Sequence, residues 1–260
     1  VYTFATSKFL YPFLNFGMIY ALHKLADFVV YQSYYSKRLC DRFLGKAKVP
    51  WSIIHNGVEI DKFTPAGKGY DYGDGYILFS LGAFRRKIAL YPVLKAYTYL
   101  KDKLDRVKLV IAGPIHKRLY YLLPKSKDII YLGKIAYDKV PFYERGASVF
   151  LFPIRSACPN VLIESIACGL PVACYDIGSN REILGNNAAG VLCDSGIEKK
   201  FYLYLMLMPN PRNLAEAALE VINNLDNYKK SARRRAERLF RLEIMVSKYV
   251  KVFKRVLEDS

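Results

Sequence analysis

A chain of 260 residues, 52% of them apolar, has material for at least one full core. Its 22 Tyr and 15 Phe exclude a disordered polypeptide. Forty Lys and Arg against 23 Asp and Glu leave a net charge of +17, which favours anionic partners: nucleic acid, an acidic membrane surface or a phosphorylated substrate.

The five cysteines (Cys40, Cys158, Cys168, Cys174, Cys193) are odd in number and lack CxxC spacing, so they read as buried free thiols in a reducing compartment. The three His are scattered, which argues against a zinc site. No run reaches the ~20 apolar residues that span a bilayer. The nearest, residues 9–30, is broken by Pro12, Asn15, His23, Lys24 and Asp27. It lacks the marks of a signal peptide and reads as a helix lying against something apolar.

From residue 28 onward, short β-branched runs alternate with longer helical patterns. Strands are expected at 28–32, 51–55, 76–81, 107–112, 129–132, 148–153, 171–175 and 190–193. Helices are expected at 36–44, 89–103, 117–123, 140–145 and 160–168. Strands apolar on both faces and separated by helices predict a parallel sheet covered on both sides. The fold class is therefore α/β, a doubly wound, Rossmann-like domain over residues 50–235, flanked by N- and C-terminal helices. A Gly-rich linker at 66–75 precedes its first core strand. After Pro211 the chain turns helical, at 213–225 and then in a basic stretch over 229–258. The KKSARRRAERLFR run reads as the solvated face of a long helix, with contact to a membrane or nucleic acid as the alternative.

Three clusters fall at strand ends, the edge of an open α/β sheet where ligands bind. Arg85, Arg86 and Lys87 follow the strand at 76–81, as three adjacent cations suited to a diphosphate or to a solvated loop. Ser156 to Glu164 follows the strand at 148–153. A helix beginning near Asn160 leaves the Val161 and Leu162 N–H groups free for phosphate oxygens. Glu164, one turn in, can accept from vicinal ribose hydroxyls, or merely complement the helix dipole. Gly113 and Gly133 end two further strands, where they admit a ligand to the backbone or simply make a turn. No GxSxG elbow, P-loop or HExxH occurs, and no DxD pair for a carboxylate-held metal.

Taken in order, these clusters carry a resemblance. His55-Asn56-Gly57-Val58-Glu59 with Asp61, Phe63 and Pro65 comes first, then Phe84-Arg85-Arg86-Lys87, Val110-Ile111-Ala112-Gly113 and Tyr131-Leu132-Gly133. Phe150-Leu151-Phe152-Pro153 through Glu164 to Val172 follows, and then Asp176 to Glu182. Over residues 25–255 the chain resembles the nucleotide-sugar-binding half of the GT-B glycosyltransferases of family 4, a retaining class that needs no metal.

The resemblance implies transfer of a hexose from a nucleotide-diphosphate sugar to a lipid or glycan acceptor, without a metal or other cofactor. It makes Arg86 and Lys87 the diphosphate clamp, with Arg85 as a possible substitute and the Val161 and Leu162 amides as further phosphate donors. Glu164 takes the ribose as the later member of an E-x7-E pair. Ser156 stands where the earlier Glu would meet the donor sugar, with Asn160 beside it. Ser156 and Glu164 are thus the candidate catalytic pair, and Gly113 and Gly133 complete the donor-binding set. A Ser hydroxyl can bond a sugar hydroxyl but supplies no charge to an oxocarbenium-like transition state. A non-catalytic sugar-nucleotide-binding module, or the donor-binding subunit of a split transferase, is the alternative.

In the family an N-terminal domain binds the acceptor. Residues 1–49 resemble only its end, and residues 236–260 a C-terminal crossover helix. The chain is then a piece of a longer protein, one subunit completed by a partner chain, or a reduced homologue. A cytoplasmic place is expected, peripheral at the inner membrane face through basic and aromatic residues on the first and last helices. Nucleic acid, suggested by charge alone, finds no RNP-type, helix-turn-helix or zinc-finger motif.

Overall fold

The computed structural model describes residues 2–4, 14–196 and 208–258. Two parallel sheets organise them. The smaller is ordered β1-β2-β3, with β1 at Tyr2–Phe4, β2 at Val29–Tyr31 and β3 at Trp51–Ile53. Helices α1 (Leu14–Leu25) and α2 (Tyr34–Phe43) connect it. Residues 9–13 of the apolar N-terminal segment lie outside the described residues.

The larger sheet comprises β4 (Tyr76–Leu81), β5 (Val107–Ala112), β6 (Ile129–Gly133), β7 (Val149–Phe152), β8 (Val172–Tyr175) and β9 (Gly190–Cys193). Its order is β6-β5-β4-β7-β8-β9, and every pairing is parallel. The chain winds outward from β4 in one direction and from β7 in the other. The reversal between β4 and β7 leaves a crevice beyond their carboxyl ends, the place where such sheets take ligands.

The helices of this unit are α3 (Lys87–Lys101), α4 (Val140–Arg145), α5 (Asn160–Ala167), α6 (Asn180–Leu184) and α7 (Pro211–Asn223). Two more follow, α8 (Leu225–Leu239) and α9 (Leu242–Glu258). Strands β7 (VFLF) and β8 (VACY) are buried along their whole length, because helices cover both faces. Phe79, Val110, Phe150 and Val172 point to one core, shared with Ile163 and Ile166 of α5 and Ala232 and Ala236 of α8. Leu78, Leu109, Val149 and Ala173 point to the other, with Leu90 and Val93 of α3 and Leu214 and Ala218 of α7. This is the doubly wound α/β sheet that the alternation of short apolar runs and helices predicts.

Three details differ from expectation. The run at 51–55 does not open the large sheet: β3 pairs with β2, and the Ile54 N–H donates to the Tyr31 carbonyl. Pattern alone tells a strand from a helix but not which sheet the strand joins. Residues 117–123 form a 3₁₀ stretch, Lys117–Leu122, rather than an α-helix.

The basic C-terminal run is two helices, not one. It breaks where Phe240 is buried in the large core and Arg241 forms a parallel bridge with Val58. Beyond the break, α9 leaves the large sheet and lays Val252 against Phe28, Val30 and Ile54 of the small one. Part of the basic face is not solvated either. Arg233 donates to the Ile60, Phe63 and Ala167 carbonyls, and Arg235 to those of Glu182 and Ile183.

Candidate active site

Strands β4 and β7 are paired neighbours, with Leu78 opposite Val149 and Phe79 opposite Phe150. The segments that follow them therefore start side by side at the carboxyl edge. From β4 the chain runs through Gly82, Ala83 and a buried Phe84 that bridges to Ile115. Anchoring Phe84 turns Arg85, Arg86 and Lys87 outward, where all three are exposed. Arg86 is the N-cap of α3, and its side chain makes no capping hydrogen bond. The first amides of α3 thus lack a side-chain acceptor, and the cations stand beside the positive end of the helix dipole. This combination attracts anionic oxygens. The Lys87 ammonium lies 5.1 Å from the Tyr91 ring centroid, which holds it near the helix start.

Gly113 sits at φ +104, where a Cβ would come within 2.1 Å of the Gly82 carbonyl oxygen. Its glycine is required by the packing of two strand ends, before any ligand is considered. Gly133, at φ +64, faces open space.

The second segment leaves β7 through Pro153 and reaches α5 at Asn160. Ser156 is fixed by its backbone: its carbonyl accepts from the Ser179 N–H at 3.0 Å and the Ser179 hydroxyl at 3.2 Å. Asn160 accepts at Oδ1 from Asn56 Nδ2 at 2.6 Å, and the same Asn56 nitrogen donates to the Cys158 carbonyl at 3.1 Å. Asn56 is held in turn by Gln32 Nε2 at 3.0 Å. The Asn-Gly pair at 56–57 therefore ties the small sheet to the start of α5.

The N-cap of α5 is Pro159, which offers no side-chain cap. The Asn160 and Val161 N–H groups have no partner among the described residues. Leu162 differs from expectation. Its N–H donates to the Pro159 carbonyl at 3.1 Å, so the tight first turn uses it internally.

Glu164 is 6% exposed, and its Oε1 accepts from the Tyr137 hydroxyl at 3.0 Å. Burial holds this carboxyl above the usual carboxylate range, against the Tyr137 hydrogen bond and the Lys62 charge, which favour the ionised form. Tyr137 packs its ring 5.4 Å from that of Phe63, and the Lys62 ammonium lies 4.3 Å from the Tyr137 centroid. Burial and then Glu164 push the Tyr137 phenol above its ordinary value.

Sequence reasoning quoted Asn56 and Phe63 as family matches without giving them a role. It missed Tyr137, Lys62 and Gln32. It also gave no role to Glu182, whose Oε2 and Oε1 accept from the Tyr34 and Tyr35 N–H groups at 2.7 Å each. Glu182 thereby caps α2 from across the molecule, with His55 Nε2 3.6 Å from its Oε2.

The crevice thus gathers exposed cations and two helix starts without side-chain caps, donors for phosphate oxygens, and one buried carboxyl, an acceptor for sugar hydroxyls. Residues 68–235 match the family model described as glycosyl transferases group 1. The N-acetylgalactosamine-N,N'-diacetylbacillosaminyl-diphospho-undecaprenol 4-alpha-N-acetylgalactosaminyltransferase of Campylobacter jejuni is 27% identical over 201 residues, covering 74% of this chain and 50% of that protein. The chain spans about half the length of the curated relatives it matches.

Sucrose-phosphate synthase from Thermosynechococcus elongatus superposes with a TM-score of 0.80 at 18% identity, covering 94% of this chain and 62% of that one. Anabaena HepE, solved in complex with UDP-glucose, gives a TM-score of 0.74 at 15% identity, covering 93% and 67%. These likenesses show the fold, the Rossmann-like half of a GT-B glycosyltransferase. With its match over residues 68–235, the chain belongs to the glycosyl transferases group 1 family.

Proposed function

We propose that the chain forms the donor-binding half of a hexosyltransferase, which takes a nucleotide-diphosphate sugar and passes the hexose, with retention, to a lipid or glycan acceptor. The observation that carries this reading is the pair of helix starts at the β4–β7 switch point. One bears Arg85, Arg86 and Lys87, and the other has the unpaired Asn160 and Val161 amides. Cations and amides aimed at one crevice stabilise the charge that develops on a leaving diphosphate, the main rate term expected here. That role needs no metal. Glu164 takes the ribose, and Ser156 with Asn160 lies nearest the sugar. HepE, solved with UDP-glucose, and the Campylobacter relative, named for a lipid-diphosphate acceptor, supply the substrate classes.

The acceptor side is a proposal about a larger assembly, completed by further chain or by a partner subunit. No helix among the described residues is long and apolar enough to cross a membrane. We place the protein in the cytoplasm, peripheral to the anionic inner face. Support comes from Met18, Leu22 and Leu25 on α1 and Val250, Phe253 and Leu257 on α9, all exposed apolar residues.

Calorimetry with UDP, GDP and their hexose conjugates tests donor binding, and absence of binding to all of them would sink the proposal. Ser156 favours a second reading, a donor-binding module without turnover, because no carboxylate stands in its place. Donor hydrolysis or transfer, measured with and without candidate partner chains, separates the two.

A further inference from the structure

A second cavity lies at the amino edge of the large sheet, the edge opposite the donor crevice. It is bounded by the end of α4, the Cys168-Gly169-Leu170 turn leading into β8, and the first half of α8, and it encloses about 390 Å³. That volume falls within the range of small-molecule sites, roughly 300–1,000 Å³.

Five cations line it: Arg145, Lys229, Lys230, Arg233 and Arg234. Two of them are committed to the fold. Arg145 donates to the Lys68 and Thr64 carbonyls, and Arg233 to three carbonyls and to Glu237. Lys229, Lys230 and Arg234 have no ion-pair partner among the described residues. Like charges crowded around one cavity repel, and an anion between them relieves that repulsion.

The one acid lining the cavity does not supply the anion. Glu144 is 1% exposed, and burial pushes its carboxyl up to about 8, against the hydrogen bonds with Ser165 and Cys168 that favour ionisation. The hydrogen-bond geometry agrees. The Ser165 hydroxyl oxygen lies 2.7 Å from Glu144 Oε1 and 2.8 Å from the Val161 carbonyl. One hydroxyl proton serves only one acceptor. Shared with the Val161 carbonyl, the Ser165 proton leaves Glu144 Oε1 without a full-time strong donor, which suits a neutral carboxyl. Glu144 Oε2 is closed to solvent and has no hydrogen-bond partner among the described residues.

We propose that this cavity binds a phosphomonoester. The phosphate meets Lys229, Lys230 and Arg234, whose ammonium and forked guanidinium donors suit a compact dianion. Such a ligand is either a free metabolite or the headgroup of a phosphate-bearing lipid. Its binding is independent of the donor crevice, because the two sites lie at opposite edges of the sheet.

The test uses the full chain, with glycerol 3-phosphate as the free probe and phosphatidylcholine vesicles containing phosphatidic acid as the lipid probe. Lys230 and Arg234 are exposed on α8, so a Lys230→Gln/Arg234→Gln double variant retains the fold, which circular dichroism checks. It is expected to weaken binding of at least one probe by about tenfold or more, the usual scale for lost charge-assisted contacts. An Arg86→Gln/Lys87→Gln variant in the donor crevice leaves that binding unchanged. Calorimetric loss for glycerol 3-phosphate assigns the site to a free monoester, and loss only in vesicle flotation assigns it to a lipid headgroup. Absence of binding to both probes, or binding that the double variant does not weaken, overturns the proposal.

Discussion

Tyr137 donates its hydroxyl proton to Glu164 Oε1 over 3.0 Å, so the carboxyl proposed to take a ribose is already engaged on one side. A carboxylate accepts at several positions, and the second oxygen stays available for ribose hydroxyls. The bond also favours the ionised form, opposing the burial that holds the carboxyl above its usual range. Affinity for UDP is therefore expected to decline as pH falls into the range where Glu164 takes up a proton, while affinity for inorganic pyrophosphate, which has no ribose, declines less. Tyr137→Phe moves the UDP decline to higher pH. Calorimetry across a pH series with both ligands checks this, and identical pH profiles for the two would remove Glu164 from the ribose.

Lys87→Ala is expected to weaken binding of a nucleoside diphosphate by roughly tenfold or more, about the value of one charge-assisted contact. The loss shrinks at high salt, because Lys87 is exposed and its charge is screened. Unchanged affinity at low salt would remove Lys87 from the clamp.

Glu144 makes stability depend on pH. Its folded pKa, about 8, lies above the ordinary 4.5, so the group binds its proton more tightly when folded. Its contribution is complete below pH 4.5 and is lost as pH rises toward 8, at up to roughly 1.4 kcal/mol per unit. Glu144→Gln, which cannot ionise, is expected to flatten the thermal midpoint across that window. A wild-type midpoint that does not fall between pH 5 and 8 would contradict a neutral Glu144.

Glu182 behaves in the opposite sense. Burial alone would raise its pKa, but the nearby His55 and the hydrogen bonds from the Tyr34 and Tyr35 amides prevail and hold it below the ordinary value. Its stabilisation is present above that ordinary value and disappears as pH falls through the lower, folded one. Glu182→Gln keeps the shape but loses the charge, and the amide oxygen can serve only one end of the pair. A loss of about 1–3 kcal/mol in urea unfolding is expected. A change within error would mean that the capping box of Ser33 and Ser36 suffices for α2.

What was legible in the sequence, and what was not, follows from the range of each interaction. Strands 107–112 and 190–193 are short, largely apolar runs, and the structure places β5 and β9 on those same residues. Glu164 could be placed one turn into a helix because helical periodicity is local. Tyr137 could not, since its bond to Glu164 spans 27 residues and depends on how the segment after β6 folds back. Leu162 was misread for a subtler reason. The proline before α5 tightens the first turn, and the Pro159 carbonyl takes an amide that a regular helix would leave free. Arg233 and Arg235 stand among seven basic residues of the 229–241 run, and composition does not reveal which of them turn inward to satisfy carbonyls.

The meeting of Val58 and Arg241 limits how the two sheets can move. The chain passes from the small sheet to the large one just after β3 and returns just before α9. At the crossing, the Val58 N–H donates to the Phe240 carbonyl at 2.8 Å and the Leu242 N–H to the Val58 carbonyl at 3.0 Å. Two connectors stitched together at one point make the natural place for a hinge between the sheets. Gly57 is the thin part of that hinge, since a Cβ there would come within 2.7 Å of the Leu242 Cα. Away from it, Glu182 on the amides of Tyr34 and Tyr35 is the latch. Separating the small sheet from the large one would break these two hydrogen bonds to a carboxylate, so the contact between the sheets is sensitive to protonation.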